Sequence, residues 1–175
     1  MSTRMLAPAV LALAALALPV AATAAPLPSP STTVIKPGVS IGGLKLGASL
    51  KKAQSAWGSV PCKQDIEFLN CTYGTKRKGV GTYSITGGTV SNVAISVGVT
   101  KAGKPSYSGP LLKLKTTKGI GLGSTRKAVK QAYPSIAVSA ESGVMRLKGK
   151  GSRYTSITLT KNRVSTIAVD SGLLG

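Results

Sequence analysis

The feature that most constrains this chain is an internal match at an offset of 76 residues. Gly43–Trp57 (GLKLGASLKKAQSAW) aligns with Gly119–Tyr133 (GIGLGSTRKAVKQAY), with five of fifteen positions identical and five more alike in kind. A second block comes later in the same order, Val90–Ile95 (VSNVAI) against Val164–Val169 (VSTIAV), two residues out of the first register. Two matched blocks in one order point to duplication of a small structural unit. The units are read as residues 38–109 and 110–175.

Each unit begins with a Gly-hydrophobic-x-Leu-Gly turn and then a helix start. Ser49 and Thr125 stand where an N-cap belongs, since a hydroxyl there accepts from the free amides of the first turn. Leu50, Ala53 and Trp57 recur at helical spacing in the first unit, as do Ala128, Val129, Ala132 and Tyr133 in the second. Gly58 and Pro134 stop the two helices.

Beyond each helix the apolar residues alternate with period two. Strands are expected near Asp65–Tyr73, Val80–Thr86 and Thr89–Val99, then near Ala137–Ser139, Val144–Lys148, Tyr154–Thr160 and Arg163–Val169. Gly87-Gly88 and Lys161-Asn162 supply two-residue turns. Tyr83, Ile85, Val93, Ile95 and Val97 fall on one side, with Met145, Leu147, Ile157, Leu159, Ile167 and Val169. The fold expected is α+β: two tandem repeats, each a short helix or helix pair packed on an antiparallel three- to four-stranded meander.

The N-terminus reads as an export signal over residues 1–24. Arg4 is followed by an apolar run to Val20, and Ala22-Thr23-Ala24 is a small-residue cleavage pattern. That run is short for a bilayer span, so a secreted or envelope-associated protein beginning at Ala25 is expected. Residues 25–37, rich in Pro, Ser and Thr, read as a linker. Cys62 and Cys71 are the only cysteines, and an even count outside the cytosol implies a disulfide.

The helix-and-meander pattern, with its Gly-(Leu/Ile)-x-Leu-Gly-x-(Ser/Thr) turn and aromatic-(Gly/Pro) stop, resembles one superfamily. It contains the secreted beta-lactamase-inhibitory protein and the SmpA/OmlA-type envelope lipoproteins. The resemblance implies a secreted scaffold that presents one sheet face to a protein partner, over about residues 38–170. No inhibitory residue carries over: aromatics are few, and Val138 and Leu147 stand where the second unit would match Cys62 and Cys71.

Composition narrows the chemistry. There is no histidine, which removes the commonest general base, and only four carboxylates: Asp65, Glu67, Glu141 and Asp170. Ser49-x-x-Lys52 and Ser124-x-x-Lys127 match a Ser-Lys nucleophile pattern, but out of register with one another and without its partner motifs. A small Ser-Lys hydrolase is therefore the weakest reading. No catalytic residue, metal site or cofactor is assigned.

Binding is the expected function, by one of two routes. The first is the sheet face opposite the apolar one, where Ser84, Thr86, Asn92, Ser96, Thr158, Thr160 and Thr166 make a flat hydroxyl-rich surface for a protein partner. The second is charge. The chain carries a formal +19, and Lys76, Arg77, Lys78, Lys113, Lys115, Arg146, Lys148 and Lys150 are candidates for holding an anionic cell-envelope polymer. Such charge also serves solubility alone. Specific nucleic-acid binding is not expected, because no aromatic stacking platform accompanies the cations.

Overall fold

A computed structural model describes residues 25–140 and 142–172. The leader read over residues 1–24 lies outside the described residues. Long strands dominate and merge into one eight-stranded antiparallel sheet. Its members are β4 (Cys62–Asp65), β5 (Phe68–Thr75), β6 (Gly79–Thr86), β7 (Thr89–Ser96), β11 (Ala137–Val138), β12 (Met145–Lys148), β13 (Tyr154–Thr160) and β14 (Arg163–Asp170), in the order β11-β12-β13-β14-β7-β6-β5-β4. A second sheet, β10-β1-β2-β3, is made of β1 (Val34–Lys36), β2 (Ser40–Ile41), β3 (Leu44–Lys45) and β10 (Lys115–Thr116). A hairpin of β8 (Gly98–Val99) and β9 (Pro105–Ser106) stands apart. The helices are α1 (Leu50–Trp57), α2 (Arg126–Ala132) and one 3-10 turn at Pro110–Lys113.

This corrects the expected fold class. The chain is mostly β, and it does not build two separate α+β units. The reason is edge pairing. Strands β7 and β14 would each be left with a row of unpaired backbone groups, and they satisfy one another instead. Thr166 pairs with Ser96, Ala168 with Ala94 and Asp170 with Asn92. The helices, of eight and seven residues, are too short to cover such a sheet or to be stable alone. The matched sequence blocks appear as matched local contacts inside the single sheet. Gly47 donates to the Val90 carbonyl and Val90 to that of Ala48, both at 2.8 Å; Gly123 with Val164, and Val164 with Ser124, repeat the pair at 2.8 Å.

The core lies between the two sheets. Period-two alternation buries Tyr83, Val93, Ile95, Met145, Ile157, Ile167 and Val169 from the large sheet. Ile35, Ile41 and Leu44 of the small sheet, with Ala53, Trp57 and Val129 of the helices, meet them. Trp57 is the centrepiece. Its indole donates to the Ile41 carbonyl at 3.0 Å, and its ring stands edge-on to Tyr73 and Tyr83 at 5.7 and 6.3 Å. A Cβ at Gly81 would press on that ring and on Pro28. Tyr133, expected to do the same for α2, is only half-buried and lies beneath the Lys118 ammonium.

The stretch read as a linker is extended and packed. Pro28 is buried, and the Gly74 amide donates to the Pro26 carbonyl at 2.8 Å, covering the edge of β5 beyond the end of β4. The expected strand Asp65–Tyr73 is instead split by a hairpin, because β4 folds back on β5 and sets Cys62 opposite Cys71. The two are joined as a disulfide. Of the two expected N-caps, Thr125 accepts from the Ala128 amide at 3.2 Å, whereas the Ser49 side chain makes no capping bond.

Candidate functional site: the open face of the large sheet

No described element packs over the centre of the large sheet's face turned away from the core, and most side chains there are partly exposed. Register sets them in three straight rows. One row runs Lys148, Tyr154, Asp170, Asn92, Ser84, Asn70, Lys63. The middle row runs Ala137, Arg146, Ser156, Ala168, Ala94, Thr82, Thr72. The third runs Thr158, Thr166, Ser96, Val80. Small side chains at the centre keep the face level; Lys148 closes the first row, and Arg146 stands one place in from the β11 end of the second.

The expected face residues divide by what they already bind. Ser84 donates to the Asn70 side-chain oxygen at 2.7 Å, and Asn92 to Asp170 at 2.8 Å. Thr86 is bonded to Ser91, and Thr160 to Ser165, each at 3.0 Å. Both of those pairs lie beside a register shift, at Ser84/Ile85 and at Thr158/Leu159, which turns a serine inward to reach a carbonyl. Those four residues shape the surface. The side chains of Ser96, Thr158 and Thr166 in the third row make no hydrogen bond to another described residue.

Asp170 is not among the expected binding residues, because its strand reads as a hydroxyl strip. It is 9% exposed, and besides Asn92 it accepts from the Gly172 amide at 2.7 Å. It therefore acts as a brace between β14 and β7. Arg146 lies over the Tyr154 ring at 5.1 Å, which gives the β12 edge an amphipathic plate. The sequence signal for this is a Tyr at the start of a strand opposite a basic strand.

The candidate cations do not form one patch. Lys76, Arg77 and Lys78 occupy the β5–β6 turn, and Arg146, Lys148 and Lys150 run along the β12 edge towards the opposite end. Lys113 and Lys115 belong to the other layer. Arg146 and Lys148 lie in the first two rows of the open face, and Lys76 reaches the third row from the β5–β6 turn. It shares a hollow of about 270 Å³ with Ser96, Thr160 and Thr166, walled by Val99 and Pro105 of the β8–β9 hairpin. Asp65 ends β4 and Glu67 lies in the β4–β5 turn, where Asp65 accepts from the Ile66 amide at 3.0 Å. Among the described residues no three His, Cys, Asp or Glu side chains come together. No described helix is long and apolar enough to cross a membrane.

Three phenols sit in raised-pKa environments. Burial, and after it the neighbouring Tyr83 hydroxyl, pushes Tyr73 well above the usual phenol range. Burial also raises Tyr83, whose hydroxyl has no hydrogen-bond partner among the described residues. Burial raises Tyr107, partly offset by Arg163. Tyr73 and Tyr83 face the core, so neither is a candidate acid or base for the open face.

No family model and no curated protein matches the sequence. Among solved structures, the fold is similar to an extracellular protein containing a SCP domain from Bacillus anthracis str. Ames, at 7% identity and a TM-score of 0.52 over 74% of this chain and 45% of that one. A cysteine-rich secretory protein from Staphylococcus aureus subsp. aureus Mu50 aligns at 14% identity and a TM-score of 0.42, over 84% of this chain and 49% of that one. The chain thus spans about half the length of the solved structures it matches. The likeness to the Bacillus protein is one of fold.

Proposed function

We propose that this is an exported, non-catalytic binding module that holds an acidic protein partner on the open face of its large sheet. The observation that carries the reading is the run of three polar rows across the sheet. On one side of the sheet Tyr83, Val93, Ile95 and Val169 are 0% exposed, while Thr82, Ser84, Asn92, Ala94, Ser96 and Ala168 beside them in sequence are partly exposed on the other, with no described element over them. Uncovered sheet faces of this breadth are a means of protein recognition, with level centres and charged rims. Lys63 and Lys148 at opposite ends of one row, and Arg146 near the end of the next, select a partner of negative surface.

Export rests on the leader read over residues 1–24 and agrees with the Cys62–Cys71 disulfide, which persists in oxidising compartments. Kinship with the inhibitory-protein and envelope-lipoprotein superfamily belongs to the same proposal, as does the absence of enzymatic activity.

The test is affinity capture from the producing cell's envelope and medium, run in parallel with wild type, Ala168→Arg and Thr158→Arg. A specific partner is retained by wild type and lost with both variants, whose core is untouched. Equal capture by all three at every salt concentration would refute the assignment of the face.

A further inference from the structure

We infer that the end of the sheet beside the β5–β6 turn holds a second binding site, specific for a phosphate-bearing polyol. Strand β7 leaves the sheet there, and the β8–β9 hairpin rises to make two adjoining hollows, each of about 270 Å³. They share Lys76 and Val99. One is lined by Ser96, Thr160 and Thr166, with Pro105 as an apolar wall. The other is lined by Arg77 and Lys101. The cleft therefore has three cations at one end and hydroxyls against an apolar wall at the other.

These cations stand on loops that the fold pins. The Val99 amide donates to the Lys76 carbonyl at 2.8 Å, and Thr100 to that of Lys104 at 2.8 Å. A Cβ at Gly98 would collide with the Arg77 carbonyl, so the turn and the hairpin are seated backbone to backbone. On the far side the Tyr107 hydroxyl donates to the Thr160 carbonyl at 3.2 Å, tying the same segment to β13. Asp65 and Asp170 lie towards the opposite end of the sheet, so their carboxylates do not neutralise the cluster.

Three like charges on anchored loops around one cleft give it a positive potential that favours an anion. An arginine fork with two ammonium groups suits an anion with several acceptor oxygens, which is the chemistry of phosphate. Ser96 and Thr166, side by side in register, supply hydroxyls for a polyol, and Val99 with Pro105 offers its C–H edges an apolar surface. The phosphate belongs at Lys76, Arg77 and Lys101, and the polyol in the hydroxyl-lined hollow. This inference is separable from the protein-partner reading: the two share Ser96 and Thr166, but only the phosphate site draws on Lys76, Arg77 and Lys101.

The experiment is an amide NMR titration of the mature protein with glycerol 3-phosphate, a glycerol-phosphate oligomer, inorganic phosphate and glycerol. Saturable shifts are expected at Ser96, Val97, Thr166 and the 76–78 turn, with glycerol 3-phosphate binding more tightly than phosphate or glycerol. Lys76→Ala with Lys101→Ala should weaken it at least about tenfold, and Thr166→Val about three- to tenfold, the range for losing one hydrogen bond. Lys127→Ala with Lys130→Ala, two exposed cations on α2, should leave it unchanged and serves as the control for bulk charge. An oligomer tighter than the monomer marks a polymer as the source, and equal affinity marks a small metabolite. Shifts that fail to saturate and spread over all basic loops would overturn the site. So would an affinity indifferent to Lys76→Ala and Thr166→Val in variants that keep the wild-type circular dichroism.

Discussion

Replacing Trp57 by Phe tests the core on which the open face rests. The indole is 1% exposed and donates to the Ile41 carbonyl at 3.0 Å, so it links α1 to the small sheet. Phe keeps a ring against Tyr73 and Tyr83 but removes the donor and part of the volume. The buried Ile41 carbonyl then loses its partner, at about 1–3 kcal/mol, and the smaller ring leaves a void that adds about 1 kcal/mol. The expected loss is about 2–4 kcal/mol. For a domain of this size each kcal/mol lowers Tm by about 2–4 °C, so a drop of roughly 4–16 °C should appear in thermal melts followed by circular dichroism. Native wild-type emission should be blue-shifted. A W57F melt within about 2 °C of wild type, or water-like emission from native Trp57, would refute this account of the core.

Specific contacts give three further expected outcomes. Tyr73 and Tyr83 have phenols raised above the ordinary 10.0, so the folded state keeps their protons after the unfolded chain has released them. The stability they contribute is intact below pH 10.0 and falls as pH rises beyond it; urea unfolding across that range, with tyrosinate absorbance, should show these two phenols and that of Tyr107 titrating late, and all five titrating together would contradict it. Thr125→Ala should cost about 1 kcal/mol and Ser49→Ala much less, since only Thr125 caps its helix; equal losses in denaturant unfolding would negate the assignment. Reducing Cys62–Cys71, which closes a short loop, should cost about 2–3 kcal/mol, read from urea midpoints with and without reductant.

The face assignments were legible because alternation along a strand depends only on local pattern. Tyr83, Val93, Ile157 and Ile167 face inward where period two puts them, and Gly87-Gly88 and Lys161-Asn162 form their turns at positive φ. The joining of β14 to β7 was not legible. That pairing links residues 166–170 to 92–96, and nothing in either segment names the other. The same holds for β1–β3 and β10, elements of two or three residues too short to show a period. Trp57 and Tyr133 occupy matched positions in sequence, yet their burial differs because β5, β6 and the packed segment around Pro28 enclose only the first. Of the site, the hydroxyl strip was readable, whereas the hollow joining Lys76 to Ser96 and Thr166 required the β8–β9 hairpin, which the pattern absorbed into one long strand.

The most direct measurement of the central claim is an amide NMR map of the captured acidic partner's footprint on the isotope-labelled mature protein. The account predicts perturbation along the three rows, at Ala94, Ser96, Ser156, Thr166 and Ala168, with Ala94→Arg abolishing it while the core resonances stay in place. A footprint confined to α2 and the layer carrying Lys113 and Lys115, with Ala94→Arg binding as wild type, would contradict it.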